Sequence, residues 1–168
     1  MLTSDQSAGW IGRSMEQNGL KELTKLTVHG VVADPNTETQ IVILRDERTA
    51  QVLPIWVGAA EGNAIKLAMD DAPTSRPMSH DLLRSMMEHL SLAVSKVVVT
   101  DVKNNTFFAS VYLTSQGTER AVDARPSDAI ALALRNKSPI FVTANVLRQR
   151  GGNSLETWLE KLGTKNTS

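Results

Sequence analysis

The strongest constraint on this chain is a pattern that runs twice. Asn63-Ala64-Ile65-Lys66-Leu67-Ala68-Met69 precedes Asp128-Ala129-Ile130-Ala131-Leu132-Ala133-Leu134 by 65 positions, and Val31-Val32 precedes Val97-Val98 by 66. A near-constant offset means that the segments between these landmarks match in length, so one supersecondary unit is read as occurring twice. In the first copy, Leu26, Val28, Val31 and Val32 predict a strand, and Asp34-Pro35-Asn36-Thr37 a turn. Gln40 to Leu44 and Gln51 to Val57 predict two more strands, and Ala59 to Asp70 a helix. In the second, Val97-Val98-Val99 leads through a turn over Asp101 to Asn105 into the alternating Phe107, Ala109, Val111 and Leu113. Gln116-Gly117 turns the chain into Glu119 to Ala124, and a helix follows from Pro126 to about Asn136.

Two β-β-β-α copies suit one closed domain better than an open solenoid, which needs three or more units. Between them, Leu82, Leu83, Met86, Met87 and Leu90 recur at helical spacing behind Ser79, which has the chemistry of an N-cap. Beyond them come a short strand (Pro139 to Val142), a helix beginning near Asn145 and an amphipathic helix from Ser154 to Leu162. The expected class is α+β: duplicated β-β-β-α units forming a largely antiparallel sheet packed against helices. Residues 1–20 read as a polar tail with Trp10 and Ile11 docking locally, 21–150 as the domain, and 151–168 as a short C-terminal helix and tail.

Composition narrows the chemistry. The 168 residues include no cysteine, which excludes disulfide scaffolds, zinc fingers, iron–sulfur clusters and thiol nucleophiles. Lys and Arg number 18 against 18 Asp and Glu. A protein that coats nucleic acid through its phosphates carries a positive excess, so contact with phosphate here must be local or assisted by a bound cation. Residues 1–95 hold 8 basic against 12 acidic side chains and 96–150 hold 8 against 4, so the second half offers at most a modest basic face. No apolar run reaches a membrane span and no signal peptide is legible, which leads to the expectation of a soluble, cytoplasmic protein.

Several catalytic signatures are missing. His29, His80 and His89 form neither HxH nor HExxH, and no GxSxG, GxGxxG or P-loop is present. Two similar tetrads stand out instead. Arg76-Pro77-Met78-Ser79-His80-Asp81 and Arg125-Pro126-Ser127-Asp128 each place Arg-Pro before a helix. Capping explains part of this, with Pro at the first helical position and Asp in the first turn. The functional reading adds an Arg guanidinium beside free backbone N–H groups, a place that suits phosphate. Glu61, Asp81, Asp123 and Asp128 are candidate oxygen ligands for Mg²⁺ or Mn²⁺, which would activate water and neutralise a leaving oxyanion. Leu53-Pro54-Ile55-Trp56-Val57-Gly58 reads as an edge strand carrying Pro, with Trp56 in the core or, alternatively, exposed as a base-stacking surface.

These stretches together resemble the bifunctional nuclease domain family: the segment from Leu53 to Gly58 with Glu61, then Arg76 to Leu83, then Asp123 to Leu134 with Pro139-Ile140-Phe141-Val142. The resemblance runs from about Leu23 to Leu147 with the motifs in family order. It implies an α+β domain, often self-associating, and, by likeness to the plant members, a nuclease acting on both DNA and RNA. The expectation is therefore a metal-dependent nuclease. Glu61, Asp81, Asp123 and Asp128 would be general-base or metal candidates (Asp123 and Asp128 foremost for the metal) and His80 a proton shuttle. Arg76 and Arg125 would bind phosphate, and the partners would be DNA or RNA and further copies of the chain. The rival expectation is a non-catalytic nucleic-acid-binding or assembly module, in which the Arg-Pro tetrads are caps and Trp56 belongs to an interface.

Overall fold

The unbroken apolar run Ile41-Val42-Ile43-Leu44 has no solvent-facing side, and its surroundings show why. In a computed structural model, which describes residues 22–164, this run forms strand β2 (Gln40–Arg45). Val42 and Leu44 enter the main core, while Ile41 and Ile43 point the other way into a smaller cluster with Val52, Leu155, Trp158 and Leu162. Alternation along a strand sends neighbouring side chains to opposite faces, so a strand buried on both must be apolar throughout.

Strands β1 (Leu23–Ala33), β2 and β3 (Val52–Val57) form one antiparallel meander, and β4 (Ala93–Lys103), β5 (Thr106–Ser115) and β6 (Thr118–Ala124) form another. Between them lies the four-residue β7 (Ile140–Thr143), antiparallel to β1 and parallel to β4. The result is a seven-stranded sheet ordered β3-β2-β1-β7-β4-β5-β6, with one parallel pairing among antiparallel ones. The two strand triplets flank the centre, and each is followed by a helix: α1 (Ala59–Met69) or α3 (Pro126–Asn136).

α1 packs on α3, and both lie over the face that carries Leu26, Val42, Leu44, Val97, Val99 and Val111. The close approach follows from small side chains, since Ala129, Ala131 and Ala133 of α3 are at most 1% exposed. Helix α2 (Ser79–His89) packs against α3, α4 (Ala144–Arg150) against β4, β7 and β3, and α5 (Leu155–Thr164) supplies the cluster on the far side of β2.

The α+β class and largely antiparallel sheet are as the sequence predicts, and the order β-β-β-α does occur twice. Several local expectations are corrected. The turn over Asp101 to Asn105 contracts to Asn104-Asn105, both in the left-handed region (φ 49° and 62°), as a two-residue hairpin of antiparallel strands requires. Met78, not Ser79, is the N-cap of α2, and its N–H is satisfied by Asp81 Oδ2 at 2.9 Å. Trp56 is 46% exposed instead of buried; its Nε1 donates to Asp34 Oδ2 at 2.8 Å and its ring meets Trp158 edge-on. The modest basic face of the second half is reduced by two ion pairs, Lys96 with Glu119 at 3.1 Å and Lys103 with Asp101 at 3.4 Å. Trp10 and Ile11 lie outside the described residues.

Candidate active site

Arg125 stands at the N-cap of α3 because Pro126 follows it. The proline ring presets the first helical φ and gives up an N–H that would have no intrahelical partner. Gly58 stands at the corresponding position of α1. Both helix starts open on a single cleft of about 310 Å³, bounded by β3 (Ile55 to Val57) with Gly58, by Asn105, Thr106 and Phe107 of the β4–β5 hairpin, and by Arg125 to Ser127. Its charged wall consists of Glu61 and Arg125.

Arg125 holds two carboxylates. Its Nε donates to Asp128 Oδ2 at 2.8 Å, its Nη2 to Asp128 Oδ1 at 3.3 Å, and its Nη1 to Glu61 Oε1 at 3.2 Å. Behind it, His80 Nε2 lies 2.8 Å from Asp128 Oδ1. The four side chains form one line, His80–Asp128–Arg125–Glu61, drawn from three helices. Burial alone would raise the Asp128 carboxyl, but hydrogen bonds from Arg125 and His80 and the guanidinium charge outweigh it and hold the group below the usual carboxylate range. The bonds that Arg125 donates to Asp128, then the one it donates to Glu61, push the guanidinium upward, and like any arginine it stays charged. Gly58 is needed for this geometry: a Cβ there would lie 2.2 Å from Glu61 Oε2.

The remaining candidates fall elsewhere. Asp81 Oδ2 caps α2 and its Oδ1 accepts from Arg135 Nε at 2.9 Å; Arg135, whose side chain is 6% exposed, also donates to the carbonyls of Ala131 and Ala64. The Met78 N–H, against the opposing effect of burial and with help from Arg135, keeps the Asp81 carboxyl low. That group ties three helices together at a distance from the cleft wall. Asp123 is exposed on β6, and since Ala124 turns inward to the core, alternation sends Asp123 to the opposite face. Asp123 and Asp128 are thus close in sequence but face different ways. Arg76 is exposed in the segment before α2, where its carbonyl accepts from Thr74 Oγ1 at 2.8 Å. His80 is buried and reaches the cleft through Asp128 and Arg125.

A preassembled cation site does not fit the donors present. No group of three or more His, Asp or Glu side chains is arranged to hold a metal among the described residues, and Glu61 and Asp128 are each engaged by Arg125. Sequence reasoning did not reach Ser127, Asn105, Thr106 or Phe107 as cleft residues. Ser127 lay inside the second tetrad, whereas the hairpin residues join the cleft only through the fold.

Residues 42–154 match the family model for the bifunctional nuclease domain. The chain belongs to this family. All four members of the Arg125 line fall inside the matched span, so this bifunctional nuclease domain carries its candidate site within the family region. The chain is similar to an uncharacterized protein of Mycobacterium tuberculosis, 33% identical over 127 residues, 76% of either chain. It is also similar to bifunctional nuclease 2 of Arabidopsis thaliana, 32% identical over 105 residues, which cover 61% of this chain and 32% of the plant protein. Bifunctional nuclease 1 of indica rice is 28% identical over 114 residues, 66% of this chain and 34% of its own. The alignments thus span about a third of those plant relatives.

Proposed function

We propose that the protein is a nuclease that hydrolyses phosphodiester bonds in DNA, RNA or both, in the cleft between the starts of α1 and α3. The observation that carries the reading is Arg125, a guanidinium placed at a helix N-cap on a cleft wall with Glu61 beside it. Helix N-termini and a planar cation both favour a phosphate. Three of the five N–H donors of Arg125 are engaged with Asp128 and Glu61, so two remain for a ligand.

In this reading Arg125 orients the phosphodiester and stabilises its developing charge. Glu61, the carboxylate on the cleft wall, takes a proton from the attacking water as its oxygen bonds phosphorus; the P–O ester bond breaks and the leaving oxygen takes a proton from solvent. Asp128 and His80 fix the Arg125 plane, which makes them positioning residues. Asp81, Asp123 and Arg76 stay outside this mechanism. Mg²⁺ or Mn²⁺ bound together with the substrate would add neutralising charge at the phosphate.

The test is cleavage of labelled single- and double-stranded DNA and RNA by the purified chain, with Mg²⁺, with Mn²⁺ and with EDTA. Glu61→Gln and Arg125→Ala should each lower the rate at least ~100-fold, the lower end for a positioned general base. Absence of cutting in every buffer, or full activity in both variants, would remove the reading.

A second reading, assembly of copies, is favoured by one observation. Met78, Leu82, Leu83, Met86 and Leu90 of the α2 region are 39–67% exposed and make an apolar stripe at helical spacing. Sedimentation analysis of Leu82→Glu/Met86→Glu beside the parent chain tests it; an identical mass in both would exclude that stripe as the contact. For both readings we propose a cytoplasmic setting. No described helix is long and apolar enough to cross a membrane.

A further inference from the structure

We propose that Ser127 is a ligand-binding residue of the cleft: its hydroxyl, the outward main-chain N–H of Trp56 and the free donors of Arg125 together hold a phosphate group. This rests on the phosphodiester reading above and specifies where in the cleft the phosphate sits.

Ser127 lines the cleft and is 6% exposed, yet its hydroxyl makes no hydrogen bond to any described residue. A hydroxyl with no protein partner that still reaches solvent is held by water, and a ligand oxygen can take that water's place. This one is not sealed away. Among the described residues, the side-chain atoms cut off from solvent without a partner are Gln40 Oε1, Arg45 Nε, His80 Nδ1 and Arg84 Nε, and the Ser127 hydroxyl is not one of them. Its open side is the cleft.

The facing wall is the free edge of β3. Val52 uses both its N–H and its carbonyl on Gly152, at 2.9 and 2.7 Å, on the side away from β2. The pairing of β3 with β2 runs without a shift from Arg45↔Val52 to Gln40↔Val57. In an antiparallel ladder every second residue turns its main-chain groups the same way. Val52, Pro54 and Trp56 therefore all face outward. Pro54 has no N–H to give, which leaves Trp56 as the outward donor at the cleft end.

Two further features converge on the same place. α1 and α3 are each 11 residues long, and neither has a side chain capping its first turn. Asp128 spends its carboxylate on Arg125 and His80 instead of its own helix. The first-turn N–H groups at the cleft are thus unclaimed. A strand edge, a helix start and a guanidinium all line this one cleft, and donors drawn from three elements suit a tetrahedral oxyanion better than a planar carboxylate. Glu61 opposes an anion, but its Oε1 already occupies on Arg125 the kind of place that a phosphate oxygen would take.

Titration of the full chain with inorganic phosphate, followed by amide NMR against sodium chloride at matched ionic strength, tests the assignment. Phosphate, but not chloride, should shift the Trp56 and Ser127 amides saturably, and Ser127→Ala should weaken binding about tenfold. No saturable shift, shifts centred elsewhere, or a Ser127→Ala titration equal to the parent's would overturn it. If the variant does not fold, the parent titration alone decides. Phosphate binding as described without strand cleavage keeps this subsite and removes the nuclease reading. Cleavage by a chain that binds no phosphate here does the reverse.

Discussion

Gly58 gives Glu61 its position. The glycine has φ −67°, which any residue adopts, so its value lies in the missing Cβ and not in backbone freedom. A Cβ at this point meets only the end of a flexible carboxylate, at 2.2 Å, and the carboxylate can swing away. Gly58→Ala should therefore change stability by less than about 1 kcal/mol while displacing Glu61 from its 3.2 Å contact with Arg125. Denaturant unfolding checks the first statement and a crystal structure of the variant the second. Arg135 presents the opposite case. Its side chain is 6% exposed and bound to Asp81 and two carbonyls. Arg135→Met should cost about 3 kcal/mol, the lower end for breaking a buried ion pair from one side, read as a lowered denaturation midpoint.

At the scale of elements, all three helices of the core layer end in the same way. Asp71 after α1, Ser91 after α2 and Lys137 after α3 have φ of 46°, 56° and 53°, the left-handed turn that glycine enters most cheaply. Lys137 is the cleanest test, because its own N–H and that of Ser138 close the last turn on Leu134 and Ala133. Lys137→Gly should stabilise the protein by about 0.5–1 kcal/mol, seen as a higher unfolding temperature. These elements also show what the sequence discloses. β2, α1 and α3 were legible because their apolar spacing is local. The Asp81–Arg135 tie joins residues 54 apart, and the contact of Arg125 with Glu61 joins residues 64 apart. No local pattern announces either. For Trp56 the alternation suits a core strand and an exposed edge alike, and the edge position of β3, with Asp34 available to its Nε1, decides for exposure. Asp123 shows the reverse: it is near Asp128 in sequence, but the alternation of β6 puts it on the other face.

Across the whole molecule, acidic groups are held in their charged form by the fold. Asp34 by the Asn36 N–H, Asp46 by the Arg48 N–H, Asp81 by the Met78 N–H, and Asp128 by Arg125 and His80 against its burial all lie below the usual carboxylate range. A carboxylate with a depressed folded-state pKa adds stability that is complete above its unfolded value, about 3.9, and is lost as pH falls through the folded value. Stability should therefore hold from neutral pH to about pH 5 and fall steeply below pH 4. Asp128→Asn should be less stable at neutral pH and lose less on acidification. Urea unfolding from pH 7 to pH 2 measures both.

The short β7 has a consequence for how the chain reaches this state. It is the strand that joins the two flanking meanders, yet it consists of residues 140–143, so β1 waits for a partner made more than a hundred residues later. Each meander can form from near neighbours as it emerges from the ribosome, but the sheet has no centre until β7 arrives. The cleft shares that delay, since its walls come from both meanders. Synthesis should therefore deliver both meanders before the strand that joins them, with the joining as a late step. Substitutions in Ile140 and Val142 should slow that step more than substitutions within either meander.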